Sequence, residues 1–352
     1  MNDRARWRRY SDMQTSYLAY GMQLRCSFAL PGMTPQEADG LPELSLRMAT
    51  PTDVSRLWSG PREPAWRGRL GDGLELTLER GGGGDVLFSY GDRARFLLRA
   101  QSGMLPQSGT LLCAPAHGGA PAQEVAAPAQ GHASAQEGLD WQRVLCTKVL
   151  AAISVILGYE ALHAGVVASP SGVVALAGSS GAGKSTLVLE LLKRGWQLFA
   201  DDALIIESVE GEVRAHPGTP HMNLDVDLPD GIDPQMLGQT LGVLAGERWL
   251  AAHASVGDPR PVRMVCQLER RLGFRLETAW LPANALLLAP FRLGLQGDRE
   301  RERRRFDVYA DLMKSARLMR LTAGLEHSPA QIAQALERAL DGERELASGG
   351  VA

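Results

Sequence analysis

The segment Gly178-Ser179-Ser180-Gly181-Ala182-Gly183-Lys184-Ser185 satisfies the pattern G-x-x-x-x-G-K-[ST], whose chemistry is the binding of a nucleoside triphosphate. Gly178, Gly181 and Gly183 carry no Cβ, so the backbone can take positive φ and turn its N–H groups toward phosphate oxygens. Ser179, Ser180 and Ala182 lend mainly their amides. Lys184 supplies a mobile positive charge for the β and γ phosphates, and the Ser185 hydroxyl can ligate Mg²⁺. Thr186, in the first helical turn, completes the expected binding set, where free amides and the helix dipole favour an anion.

The flanking elements have the order this chemistry requires. Val173-Val174-Ala175-Leu176-Ala177 reads as a buried strand, and Leu187, Val188, Leu189, Leu191 and Leu192 read as a helix. Lys193 and Arg194 fall in the last turn, with Gly195 as the C′ residue. An apolar stretch, Trp196 to Ala200, then leads into Asp201-Asp202 and the strand-like Ala203-Leu204-Ile205-Ile206. Phosphoryl transfer needs one carboxylate near Mg²⁺ and another to orient or deprotonate the acceptor hydroxyl, and two adjacent acids can divide those roles. The pair is expected near the loop, at the carboxyl end of a strand beside the loop strand.

Three blocks resemble the HPr kinase/phosphorylase group of P-loop protein kinases: Leu162-His163-Ala164-Gly165-Val166-Val167, then Gly178 through Thr186, then Leu191-Leu192-Lys193-Arg194-Gly195 running into Phe199-Ala200-Asp201-Asp202. The resemblance is best between Leu139 and Glu269. It implies an α/β P-loop kinase domain that uses ATP and Mg²⁺. His163 and Asp202 then fall where the family has its histidine and its proton acceptor, while Lys184 keeps the phosphate role and Ser185 and Asp201 the metal role. The chain departs from the pattern in two places. Thr186 stands where many members have Glu, and His216 to Asp225 replaces the downstream Glu-x-Arg-Gly-x-Gly segment, which puts phosphorolysis in doubt. Asp225 and Asp227 are candidates for a second Mg²⁺ ligand, and Arg263 for a catalytic arginine. His163 is expected to tune the acid pair or to bind phosphate oxygens, since imidazole charge is adjustable near neutral pH.

The N-terminal segments Tyr17 to Arg25, Leu41 to Leu44, Gly84 to Phe88 and Phe96 to Leu98 are similar to a stand-alone branch found with lasso-peptide biosynthesis. That likeness implies a peptide acceptor carrying a terminal serine. An HPr-type regulatory kinase, an NTP hydrolase and a nucleotide-binding module without chemistry are the alternatives. No L-S-G-G-Q-type signature and no hydrophobic strand ending in Asp-Glu supports a transport ATPase.

Composition bounds the partners. With 352 residues, 45% hydrophobic, the chain can bury substantial cores and suggests two domains. A net charge of −3 argues against a nucleic-acid partner. Cys26, Cys113, Cys146 and Cys266 are scattered without C-x-x-C spacing, which suits a reducing cytoplasm. Met1 to Gln14 lacks an apolar h-region, and Val149 to Tyr159 is too short to span a bilayer, so neither export nor membrane attachment is expected. A homo-oligomer stays open.

Residues 1–112, with alternating runs such as Leu74 to Leu78 and Arg95 to Arg99, read as a small β-rich domain able to bind substrate. Residues 113–136, rich in Ala, Pro and Gly, read as a flexible linker, and 137–345 as the kinase domain. Ser328-Pro329-Ala330-Gln331 has the form of a capping box before a last helix. The run Arg299 to Arg305, with Phe306, Tyr309 and Met313 following, reads as a helix with a solvated charged face. His216, His221 and His253 show no metal-ligand spacing.

Overall fold

The computed structural model describes residues 14–58, 63–70, 73–81, 84–100, 108–116, 133–228, 232–244, 246–273, 275–281 and 299–348. The fold is mixed α/β with three sheets among these residues. The first sheet holds β1 (Thr15–Ala19), β2 (Met22–Cys26), β3 (Glu43–Met48), β4 (Glu63–Arg69), β5 (Glu75–Arg80), β6 (Val86–Tyr90), β7 (Ala94–Ala100) and β8 (Ser108–Pro115). Their order across it is β1-β2-β3-β8-β7-β6-β5-β4. Alternation places Leu76, Leu78, Phe96 and Leu98 in its core, while the short helix α1 (Pro51–Leu57) packs Val54 against Leu87 and Leu97.

Strand β8 runs through the position expected to open the linker, and most of that linker, 117–132, lies outside the described residues. The chain resumes in α2 (Ala133–Val144), passes through a π-helical turn at Leu145–Val149 and continues as α3 (Leu150–Ile156). This rod packs back on the first sheet. Trp141 meets Phe28 edge-on at 5.5 Å, and Leu145, Val149 and Ile153 join the same core.

The second sheet holds β9 (Glu160–Leu162), β10 (Gly165–Ser169), β11 (Gly172–Ala177), β12 (Gln197–Ala200), β13 (Leu204–Val209), β14 (Glu212–His216), β18 (Arg260–Arg270), β19 (Glu277–Trp280) and β20 (Arg317–Ala323). Its order is β12-β10-β11-β18-β14-β13-β9, with β20 beside β18 and β19 outside β20. The loop strand β11 is buried along its whole length and lies parallel to β18. Val174 and Leu176 pack toward Leu187 and Leu191 of α4 (Lys184–Lys193) and toward Ile332 and Leu336 of the last helix, Pro329–Ser348. Val173, Ala175 and Ala177 share the opposite core with Tyr309 and Leu312 of the helix Arg299–Ser315. Helices on both faces explain why this strand reads as a continuous apolar run.

The helix ends follow the sequence. The Gly195 N–H bonds to Leu192 O at 3.0 Å and the Trp196 N–H to Leu191 O at 3.1 Å, a Schellman closure with Gly195 at φ 88°. Ser328 and Gln331 form the expected reciprocal cap at 2.9 and 3.3 Å. The charged run is helical, but Arg301 turns inward to within 3.8 Å of the buried Glu160 instead of facing water, and Phe306 is 70% exposed.

A three-stranded sheet, β15 (His221–Asp225), β17 (Glu247–Ala252) and β16 (Gly238–Leu244) in that order, partitions the two halves. Its central strand alternates: Trp249 and Ala251 belong to the N-terminal core, and Leu250 and Ala252 to the loop-side core. His221 closes this contact, its Nε2–H donating to Pro31 O at 2.6 Å and its ring 4.8 Å from that of Trp249. Burial pushes the His221 pKa down to about 4, with the Pro31 bond opposing. The unfolded chain, with a histidine pKa near 6.5, therefore takes up a proton that the fold refuses. Stability is fully present above about pH 6.5 and falls toward pH 4, by up to about 3 kcal/mol from this residue. Denaturant titrations of wild type and His221→Gln across that window should give a shallower acid loss in the variant; equal slopes would show that His221 titrates freely in the fold.

Candidate active site

Strand β11 delivers the chain to the loop at Gly178, and the loop closes into α4 at Lys184. Gly178, Gly181 and Gly183 have φ of 151°, 78° and 89°, and a Cβ on Gly178 would stand 2.6 Å from Leu268 O. Glycine is therefore required sterically as well as conformationally. The first intrahelical bond runs from the Leu187 N–H to Gly183 O at 2.9 Å, so the amides of Lys184, Ser185 and Thr186 precede it and are free for an anion. The Lys184 ammonium reaches back over the loop, donating to Gly178 O at 2.9 Å and Ser179 O at 3.3 Å.

A cavity of about 590 Å³ opens above this loop. Ser180, Gly181, Gly183, Lys184, Ser185 and Thr186 form one wall, and His163, Asp201 and Asp202 another. Gly178, Ser179 and Ala182 shape the loop behind the lining. The acid pair follows β12, which does not lie beside β11 as the sequence led one to expect; β10 stands between them. Because β10 pairs antiparallel with both, β11 and β12 run in the same direction and their carboxyl ends open on one side.

The two acids sit in different surroundings. One carboxylate oxygen of Asp201 accepts from the Asn223 N–H at 3.1 Å, yet burial and then the charge of Asp202 push its pKa up, to about 7. Asp202 takes φ 64°, a left-handed conformation that Asp tolerates better than most residues. Burial alone would raise its pKa too, but an ion pair with Lys148, helped by His163 and Lys184, outweighs burial and holds Asp202 below the usual carboxylate range. The balance at Lys148 mirrors this: burial works against its charge, and Asp202 more than restores it.

His163 Nδ1 lies 3.0 Å from Asp202 O, and since a carbonyl only accepts, Nδ1 carries the proton. Burial lowers the ring's pKa, against the pull of Asp202 and with the repulsion of Lys184 and Lys148. The Nδ1–H bond ties the ring to the acid-pair turn at the Asp202 main chain.

Other lining residues went unread in the sequence: Thr147, Lys148 and Arg143 from the rod, Asn223 and Glu247 from the partition sheet, and Leu70 beyond β4. Lys148 had a signal, being the one cation inside the apolar run 144–156, where a buried charge demands a partner. Arg143 is held by Glu247 at 3.0 Å and Asp140 at 3.5 Å. Arg263 is displaced from the expected catalytic position. It bonds Ser171 O at 2.5 Å, in the hairpin turn at the opposite end of β11 from the loop. Of the two further metal candidates, Asp225 lines the cavity and Asp227 does not. Among the described residues no cluster of three or more His, Cys, Asp or Glu side chains forms a ready-made metal cage.

No protein family and no curated protein matches the sequence. Among solved structures, the Hpr(Ser) kinase/phosphatase from Coxiella burnetii aligns at 13% identity over 54% of this chain and 99% of that one, with a TM-score of 0.31, a likeness too slight to bear on function.

Proposed function

We propose that this chain is a MgATP-dependent kinase that transfers the γ-phosphoryl group to a serine hydroxyl of a peptide or protein. One observation carries the reading: a glycine loop with its lysine, and two adjacent carboxylates whose ionisation is driven apart, line a single cavity. Asp202, kept ionised, accepts the hydroxyl proton as the serine Oγ forms its bond to Pγ and the bond from Pγ to the β-phosphate oxygen breaks, leaving ADP. Lys184 and the amides at the start of α4 stabilise charge on the transferring group. His163 holds the turn that presents Asp202.

The donor set suits Mg²⁺, which favours oxygen ligands and is held by few carboxylates together with phosphates. The Ser185 hydroxyl and Asp201 would hold it, and a divalent cation there would relieve the repulsion that disfavours ionised Asp201. When bound, the ion neutralises phosphate charge.

The acceptor we infer is a peptide ending in serine, on the likeness of the N-terminal segments to the lasso-peptide-associated branch; an HPr-type protein is the second candidate. Residues 1–112 would help bind it and 137–345 carry the chemistry. A reducing cytoplasm fits the four free, buried cysteines, and the described residues include no helix long and apolar enough to cross a membrane.

Incubation with MgATP and each acceptor, read by mass spectrometry, should add one phosphate to the peptide. Transfer to HPr alone would move the protein to the regulatory kinases, and transfer to neither would leave a nucleotide-binding module. Asp202→Asn should lower the transfer rate about 10²- to 10⁴-fold, the usual worth of a general base, while isothermal titration finds nucleotide affinity little changed. Near-normal turnover would remove Asp202 from the proton transfer. Lys184→Met should instead weaken ATP binding about 10- to 100-fold, the loss of charge-assisted bonds worth about 1.5–3 kcal/mol.

A further inference from the structure

The Leu145–Val149 turn departs from α-helical bonding in a specific way. The Leu150 N–H bonds to Leu145 O, five residues back, so Cys146 O is skipped. Two hydroxyls take that buried carbonyl: Tyr20 Oη at 3.1 Å and Thr219 Oγ1 at 3.3 Å. Tyr20 sits at the tip of the β1–β2 hairpin with φ 56°, followed by Gly21 at φ 75°. It is pinned there by its N–H to Pro217 O at 2.7 Å and by Ser154 Oγ donating to Tyr20 O at 2.7 Å. Thr219 belongs to the segment leading into β15. The extra residue in the turn is thus stabilised from both halves of the molecule, and it resets the direction of side chains along the rod by about 100°, one residue's rotation.

Lys148 lies within this turn, and its ammonium donates to Oδ2 of Asp202. The other carboxylate oxygen, Oδ1, takes no hydrogen bond from the described residues. At the backbone, His163 holds Asp202 O. Asp202 is therefore restrained at its main chain and at one oxygen, with the second oxygen left to the cavity it lines.

We propose that Lys148 is a positioning residue for the transfer step: the π turn places its ammonium on one oxygen of Asp202 so that the other meets the acceptor hydroxyl. The role rests on the kinase reading given above. The Lys148 ammonium is engaged by Asp202, so its effect on the reaction is routed through that carboxylate. Without it the Asp202 side chain is free to turn toward the Lys184 ammonium, whose charge acts on it, and a misplacement of about 1 Å costs about 100-fold in rate.

The test is a KM-against-kcat comparison on the full chain, using MgATP and whichever serine acceptor the wild type phosphorylates, or water where it hydrolyses ATP without one. Lys148→Met should lower kcat about 100-fold with the KM for MgATP and the measured ATP affinity within about twofold of wild type. Lys148→Arg, which keeps a cation at that site, should recover part of the rate. In an Asp202→Asn background Lys148→Met should add little further loss, since both changes remove the same interaction; additive losses would mark a structural role elsewhere and overturn the proposal. An active wild type matched by Lys148→Met overturns the positioning role and leaves the kinase reading standing, and so does a variant that loses ATP affinity in step with kcat. A wild type inert toward every acceptor and toward water removes the reaction, and the positioning role falls with it.

Discussion

Two carboxylates on consecutive residues, partly shielded from water, repel each other and each resists ionisation, so the surroundings must decide which one keeps its charge. Here the compensation is unequal. Asp202 is paired with Lys148, with His163 and Lys184 also acting on it, while Asp201 has the backbone N–H groups of Asn223 and Asp202 and the more distant charge of Lys148, which do not outweigh burial and the charge of Asp202. The partners come from four different elements: the rod, the β9–β10 turn, the glycine loop and β15. Bringing them to one point requires the second sheet, the partition sheet and the rod to be docked together. The acid pair is the reason that docking has to be accurate.

The docking is achieved by shared core more than by polar contacts. The rod belongs to the same apolar cluster as the first sheet, and Trp249 and Ala251 of the partition sheet join it, while Leu250 and Ala252 face the loop-side core. A strand that is buried on both faces cannot slip by one residue without exchanging its two sets of side chains. That fixes β15 and β17 relative to the rod, and with them Asn223 and Glu247 relative to Lys148 and Arg143. Hydrogen bonds such as Tyr20 to Cys146 O then select among closely similar packings, because leaving a buried carbonyl unpaired is costly.

Where a function needs consecutive residues in a set conformation, the sequence was legible. The glycine loop, the buried strand before it, the Gly195 helix stop and the Ser328 cap all depend on local chemistry, and all take the expected form. What depends on tertiary placement was not legible. Arg263 sits at a suitable distance along the chain, yet β18 carries it to the hairpin end of β11; only the strand direction decides that. Lys148 and Arg143 precede Gly178 by 30 and 35 residues, and a π turn changes the side-chain phase that a regular 3.6-residue reading assumes. Arg301 likewise looked solvated because its partner, Glu160, is remote in sequence.

The same distinction bears on where acceptor choice must reside. Under the kinase reading the loop wall serves the donor, and Asp201, Asp202, His163 and Lys148 engage one another. Arg143 is likewise engaged by Glu247 and Asp140 on the far wall. Among the other residues of that wall, Asp225, Glu247 and the apolar Leu70 come from the partition sheet and the first sheet. Under the kinase reading, donor chemistry is therefore set by a short stretch of chain, while acceptor selection falls to side chains from the partition sheet and the first sheet. On that reading, substitutions at Asp225 or Leu70 would bear on the acceptor while the contacts that hold the acid pair, Lys148 on Asp202 and Asn223 on Asp201, stay in place.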